Sequence, residues 1–189
     1  AAHRVAVQQT IAYLEGLCAR AARGHHTPGQ PYNRIATSGW CAVAFEHRTS
    51  RADDPPLHTH VVVPNLVQCV DGRWSAWDTS EAYRQASTGG YLYQAVLRGE
   101  LTRRLGVKWG GVRRGVAEIE GVPAGLRRVF STRRQAIEEH LAEHGRDGAR
   151  AAQVAALVTR PAKTHRTDAE LRQQWRDRAR AAGFSPRRI

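Results

Sequence analysis

Three histidines spaced His-x10-His-x-His, at positions 47, 58 and 60, constrain this chain more than any other feature. Val61 to Val63 accompany the close pair, so residues 57–69 read as a strand, and on a strand residues i and i+2 project from one face. His58 and His60 therefore aim at one place. His47 closes the apolar run Cys41 to Phe45, within a second expected strand over 36–47. The loop between the two carries Arg48, Arg51, Asp53, Asp54, Pro55 and Pro56. Pairing of these strands would bring three imidazoles together. Neutral imidazoles suit a divalent ion such as zinc, manganese or nickel, with positions left open for a substrate.

The rest of the chain favours an anionic partner. Lys+Arg number 29 against 17 Asp+Glu, a net charge of +12, and only Lys108 and Lys163 are lysines. Arginine is the side chain suited to bidentate phosphate contacts, so the charge points to nucleic acid ahead of an anionic membrane surface. A composition rich in arginine and alanine for genomic reasons is the competing account. Cys18, Cys41 and Cys69 are odd in number, irregularly spaced and form no C-x-x-C pair, which argues against a disulfide framework and fits a reducing cytoplasm. No apolar run approaches a membrane span, so no membrane insertion is expected. The chain opens on Ala1 and contains no methionine, so residues upstream are expected.

The hydrophobic pattern predicts a first helix over 2–22, with Val5, Ile11, Ala12, Leu14, Leu17 and Cys18 as its apolar stripe. A Gly/Pro loop at 24–31 holds His25 and His26, which lack partners nearby in sequence and are expected to be exposed. Asp71-Gly72 signals a hairpin, with Trp74 to Trp77 returning. Asp78 or Thr79 caps a helix that is expected to break near Gly89-Gly90, and a second runs from Tyr91 to Leu105 and stops at Gly106. Short strands at 107–109 and 116–119 are expected around the Gly110-Gly111 turn. From about 121 the pattern is helical: a helix opened by Pro123, one capped by Ser131 or Thr132 and stopped at Gly145, one over 149–158, and a last over 168–182. The fold class is α+β, an antiparallel sheet with flanking helices and a helical C-terminal extension. Residues 1–120 are expected to form the metal-binding, strand-containing part and 121–189 the helical part of the same domain.

Phe45-x-His47-x-Thr-Ser-Arg51, Asp54-Pro55 and Leu57-His58-Thr-His60-Val-Val-Val resemble the metal motif of conjugative relaxases of the TrwC/TraI (MobF) type, within the histidine–hydrophobe–histidine endonucleases. Thr59 between the paired histidines agrees with that branch. Tyr93-Gln94, Leu101-Thr-Arg-Arg-Leu105-Gly, Phe130-Ser-Thr-Arg133 and Thr159-Arg160-x-x-Lys163 extend the resemblance through most of the chain. It implies a palm-like relaxase fold that nicks and rejoins single-stranded DNA at a plasmid origin of transfer. A tyrosine hydroxyl would form a 5′-phosphotyrosine, and a divalent ion (Mg, Mn, Zn or Ni) on His47, His58 and His60 would polarise the scissile phosphate. It also implies the conjugation and secretion machinery as partners. In the family the catalytic tyrosines precede the helix with which this chain opens. None of Tyr13, Tyr32, Tyr83, Tyr91 and Tyr93 matches them, so the nucleophile is expected upstream of Ala1.

Other residues carry two readings each. Arg48 and Arg51 are phosphate clamps or ion-pair partners of Asp53. Asp54 holds an imidazole N–H of a motif histidine or is a turn residue ahead of Pro55. Arg73 and Trp74, and Lys108 with Trp109, combine charge with a stacking surface for single-stranded DNA, whereas Trp40 and Trp77 sit among apolar neighbours and read as core. Two further functions remain open: a non-catalytic, metal-dependent single-stranded DNA-binding module, and a hydrolytic nuclease that uses metal-bound water and forms no covalent intermediate.

Overall fold

The computed structural model describes residues 1–24, 33–162 and 166–185; His25, His26, Tyr32 and Lys163 lie outside them. The elements run α1 (Ala2–Cys18), β1 (Arg20–Arg23), β2 (Asn33–Ala36), β3 (Val43–His47), β4 (His58–Val62), β5 (Val67–Gln68), β6 (Trp74–Ser75), α2 (Ser80–Leu105), α3 (Ala124–Val129), α4 (Thr132–Glu143), α5 (Gly148–Val158) and α6 (Asp168–Ala181). This is the expected α+β arrangement, with helices and no strands among the described residues after Glu120. The chain divides into two compact units, Ala1–Phe45 with Thr59–Glu120, and Glu46–His58 with Gly121–Ile189.

In the first unit α1 packs along α2 through a face that shares Leu14 and Cys18 with the predicted stripe and is otherwise made of smaller residues. The buried residues of α1 are Ala2, His3, Ala6, Thr10 and Cys18, whereas Ala12 and Leu17 are exposed. The small side chains on that face allow close approach of the two helices. The same closeness explains why α2 runs unbroken through Gly89-Gly90, where a break was expected. Gly89 is buried against Leu14, whose Cδ1 would lie 3.0 Å from a Cβ at that position. Helical geometry tolerates glycine at a cost of about 1 kcal/mol, and here the missing side chain is what lets α1 approach.

The predicted first helix extends past its actual end at Cys18, and Arg20–Arg23 instead pairs antiparallel with Asn33–Ala36, Ala21 opposite Ile35. Ala21 has no strand propensity of its own. It is drawn in because it forms a fully buried cluster with Val67 and Cys69, flanked by Ile35, Trp40 and Trp77. Trp40 and Trp77 meet edge to face at 4.9 Å, and Trp77 Nε1 donates to the Cys18 carbonyl at 2.8 Å. Both tryptophans are therefore core, as expected. The long strands predicted over 36–47 and 57–69 are each divided, by residues 37–42 and by residues 63–66. Described strands form three two-stranded ribbons, β1–β2, β3–β4 and the antiparallel β5–β6.

Residues 107–119 form a narrow hairpin made of isolated bridges, Trp109 with Ile119 and Arg113 with Val116. Its turn is Arg114-Gly115, with φ of 49° and 78°, rather than Gly110-Gly111. Two consecutive positive φ values match the right-handed twist of a two-residue hairpin. Gly115 also lies against Tyr91, whose Cδ1 would be 2.0 Å from any Cβ, and Arg98 donates to its carbonyl at 2.6 Å.

In the second unit Arg133 of α4 donates to the Thr159 carbonyl at 2.7 Å and its Oγ1 at 2.8 Å, and also reaches the Ala156 carbonyl. These are orphan acceptors at the end of α5, so one guanidinium ties two helices. Thr167 and Glu170 form a reciprocal capping box at the start of α6. The Thr167 backbone and side chain together hold the Glu170 carboxyl below its ordinary pKa.

Candidate metal centre

The β3–β4 ribbon carries all three motif histidines. Their ligand-capable nitrogens, His47, His58 and His60, all lie within 4.8 Å of one another, with His58 half-buried and the other two exposed. His47 and His58 meet edge to face, ring centroids 5.3 Å apart. His58 Nδ1 lies 3.0 Å from the Pro56 carbonyl, an oxygen that only accepts. The proton therefore sits on Nδ1 and the Nε2 lone pair is left for a ligand. Three imidazoles with one tautomer fixed in this way fit a borderline divalent ion.

The loop joining the two strands is tied down in the second unit. Asp54 is 2% exposed, and its carboxylate accepts from the backbone N–H and Oγ1 of Thr132, both at 2.9 Å, and from Arg178 at 2.9 Å. Thr132 opens α4, and Ser131 before it makes no side-chain cap. Asp54 thus acts as a cap supplied from a distant segment, placed where the helix dipole favours an anion. This corrects the reading of Asp54 as a partner of an imidazole N–H: its oxygens are engaged by Thr132 and Arg178. The turn reading survives in the backbone, since the Ser50 N–H donates to the Asp54 carbonyl at 3.0 Å. Asp53 accepts from Arg166 through its side chain at 2.9 Å and from Trp175 Nε1 through its carbonyl at 2.6 Å. These contacts hold the segment whose two ends carry His47 and His58.

Beneath the ribbon lies a residue that the sequence did not single out. His3 of α1 is 6% exposed and bridges Thr59 Oγ1 at 2.7 Å and Tyr93 hydroxyl at 2.8 Å. Thr59 alternates with His58 and His60 along β4, so α1 and α2 grip the strand through its opposite face. Burial raises the Tyr93 pKa. A histidine aligned with Ala2, Ala6 and Thr10 on the buried face was the available signal, once that face is recognised.

The basic and aromatic candidates are less gathered. Arg48 is exposed and pairs with Asp168 at 3.4 Å and Glu46 at 3.9 Å, rather than with Asp53. Arg51 is exposed in the same loop. Arg73 and Trp74 sit on the β5–β6 hairpin, with Trp74 57% exposed, and Lys108 is exposed on the hairpin at 107–119. Trp109 is half-buried and donates through Nε1 to Thr102 at 2.9 Å.

An α+β domain with three convergent histidines on one ribbon is a candidate divalent-metal domain. The family model described as TrwC relaxase matches residues 1–182, and the chain belongs to that family. It is 33% identical over 200 residues to the multifunctional conjugation protein TraI of Escherichia coli, covering 98% of this chain and 10% of that protein. The TraI of Escherichia coli strain K12 is 31% identical, again across 98% of this chain and 10% of its own length. The chain therefore spans about a tenth of the curated relatives it matches. Among solved structures, a copper-bound TrwC in complex with oriT DNA superposes with a TM-score of 0.83 at 30% identity, covering 97% of this chain and 62% of that one. TrwC with a 27-mer DNA comprising the recognition hairpin and the cleavage site gives 0.82 at 31% identity, covering 97% and 65%. Metal-bound relatives and the histidine triad together support a divalent metal here. No described helix is long and apolar enough to cross a membrane.

Proposed function

We propose that this domain takes part in cutting and rejoining one strand of DNA at an origin of transfer, by transesterification, to start conjugative transfer. The carrying observation is the convergence of His47, His58 and His60 on one ribbon of a TrwC-family domain. A tyrosine oxygen would form a new bond to phosphorus as the P–O3′ bond breaks; the proton passes to the departing 3′-oxygen, and reversal rejoins the strand. None of the chain's described tyrosines is assigned this role. A divalent ion on the three imidazoles would supply Lewis-acid polarisation of the scissile phosphate.

The protein's own groups supply placement. His58 presents Nε2 because Pro56 holds its other nitrogen. Asp54 and Asp53 hold the segment between His47 and His58. Arg48 and Arg51 lie within a few residues of His47, and the ion pairs of exposed Arg48 with Glu46 and Asp168, at 3.9 and 3.4 Å, are weak enough for a DNA phosphate to displace. Arg73, Trp74 and Lys108 offer further phosphate and stacking contacts to single-stranded DNA. The ion is Mg, Mn, Zn or Ni; the partners are single-stranded origin DNA and the conjugation and secretion machinery, and the setting is cytoplasmic.

The test uses protein expressed from the complete reading frame, an origin oligonucleotide and Mg or Mn, followed by denaturing electrophoresis. A protein band shifted by attached DNA is expected. Cleaved DNA with unshifted protein would replace this account with metal-dependent hydrolysis. Binding without cleavage would leave a non-catalytic single-stranded DNA-binding module.

A further inference from the structure

Away from the ribbon, one other group of described side chains brings three ligand atoms together. His140, Glu143 and His144 lie at the end of α4, with their donor atoms all within 4.8 Å of one another. The i, i+3, i+4 spacing puts them on one face of a single turn. The two imidazoles face each other at 34°, centroids 4.1 Å apart. His144 Nδ1 lies 2.8 Å from the His140 carbonyl. Since that oxygen only accepts, the proton sits on Nδ1 and Nε2 keeps its lone pair, the same arrangement that prepares His58 on the ribbon. Glu143 is exposed and forms no ion pair with a described residue, so its carboxylate is available. The end of a helix adds negative potential at the same spot.

We propose that His140, Glu143 and His144 form a second divalent-metal site, separate from the ribbon triad. Two imidazole nitrogens and one carboxylate oxygen are a donor set for zinc, nickel or copper, with water completing the shell. Magnesium and calcium, which prefer oxygen ligands, do not occupy it. The bound ion joins the last turn of α4 to His144, the residue that ends the helix. It braces the C-terminal end of the element whose first residue, Thr132, caps onto Asp54.

The test is calorimetric titration of the chain with zinc and, separately, with nickel. Wild type takes up two ions per chain. The His140→Ala, His144→Ala double variant takes up one, and the His58→Ala, His60→Ala double variant also takes up one, now at α4. Glu143→Gln keeps the two-ion stoichiometry and weakens one of the two sites several-fold. All these side chains are exposed or half-buried, and circular dichroism checks that each variant is folded. A His140/His144 double variant that binds as many ions as wild type, with the same affinities, overturns the second site. Loss of the triad's ion alone bears on the proposed function and leaves this site standing.

Discussion

Replacing Asp54 with alanine should loosen the loop between the triad strands and destabilise the fold together. The carboxylate is buried and accepts three hydrogen bonds, one of them from a cation. Loss of a helix cap costs about 1 kcal/mol, and loss of a charge-assisted hydrogen bond about 1.5–3 kcal/mol. Breaking a fully buried ion pair costs about 3–5 kcal/mol, but Arg178 keeps the Val129 carbonyl and Thr132 Oγ1 as acceptors and is a quarter exposed, which places this case at the lower end. The expected loss is about 3 kcal/mol, on the order of a hundredfold in the folding equilibrium. Asp54→Asn retains one acceptor oxygen and should lose about half as much. In urea the Asp54→Ala midpoint should fall by about 1–3 M at ordinary m-values. Because the released segment ends in His47 and His58, affinity for a divalent ion should also fall by about tenfold or more, as it does when groups that orient ligands are removed. An Asp54→Ala protein that unfolds at the wild-type urea concentration and binds the ion as tightly as wild type would refute this account of the loop.

Three further outcomes are expected. His58→Ala and His60→Ala should each abolish most ion binding at the ribbon while shifting stability by no more than about 0.5 kcal/mol, as for other surface changes; calorimetry paired with thermal melts separates the two effects. His3→Ala should cost about 1–3 kcal/mol by leaving Thr59 and Tyr93 without their buried partner, and Tyr93→Phe less, readable as shifts in denaturant midpoint. Affinity for single-stranded DNA should fall steeply with salt, with a log–log slope set by the number of phosphates neutralised; a flat response would make the net charge of +12 a matter of composition alone.

The part of the site that is local in sequence was legible, and the part made by distant contacts was not. His58 and His60 share a face because of a two-residue period, and His47 needed only one strand pairing to join them. Asp54 is different. Its partners Thr132 and Arg178 lie 78 and 124 residues away, so no local rule could choose between a turn and a tie. His3 was hidden for a related reason: larger residues were expected to mark the contact face of α1, and Leu14 and Cys18 do lie on it, but alanines and a threonine make up the rest. The Gly89-Gly90 pair looked like a break because propensity is local, whereas the approach of Leu14 is tertiary. The Arg114-Gly115 turn was outcompeted by a more conspicuous Gly-Gly nearby. One signal was present and passed over: Thr167-Asp-Ala-Glu170 is a capping-box sequence, and the box forms.

The central claim is that an ion on His47, His58 and His60 contacts the DNA phosphate that is cut. Sulfur can replace one non-bridging oxygen of that phosphate in an origin oligonucleotide, and single-turnover cleavage by the protein from the complete reading frame can then be compared in Mg and in Mn or Cd. A direct contact predicts that one phosphorothioate isomer is cleaved slowly with Mg and recovers with the softer ion, and that His60→Ala loses the recovery. Cleavage equally sensitive to sulfur with every ion would contradict it.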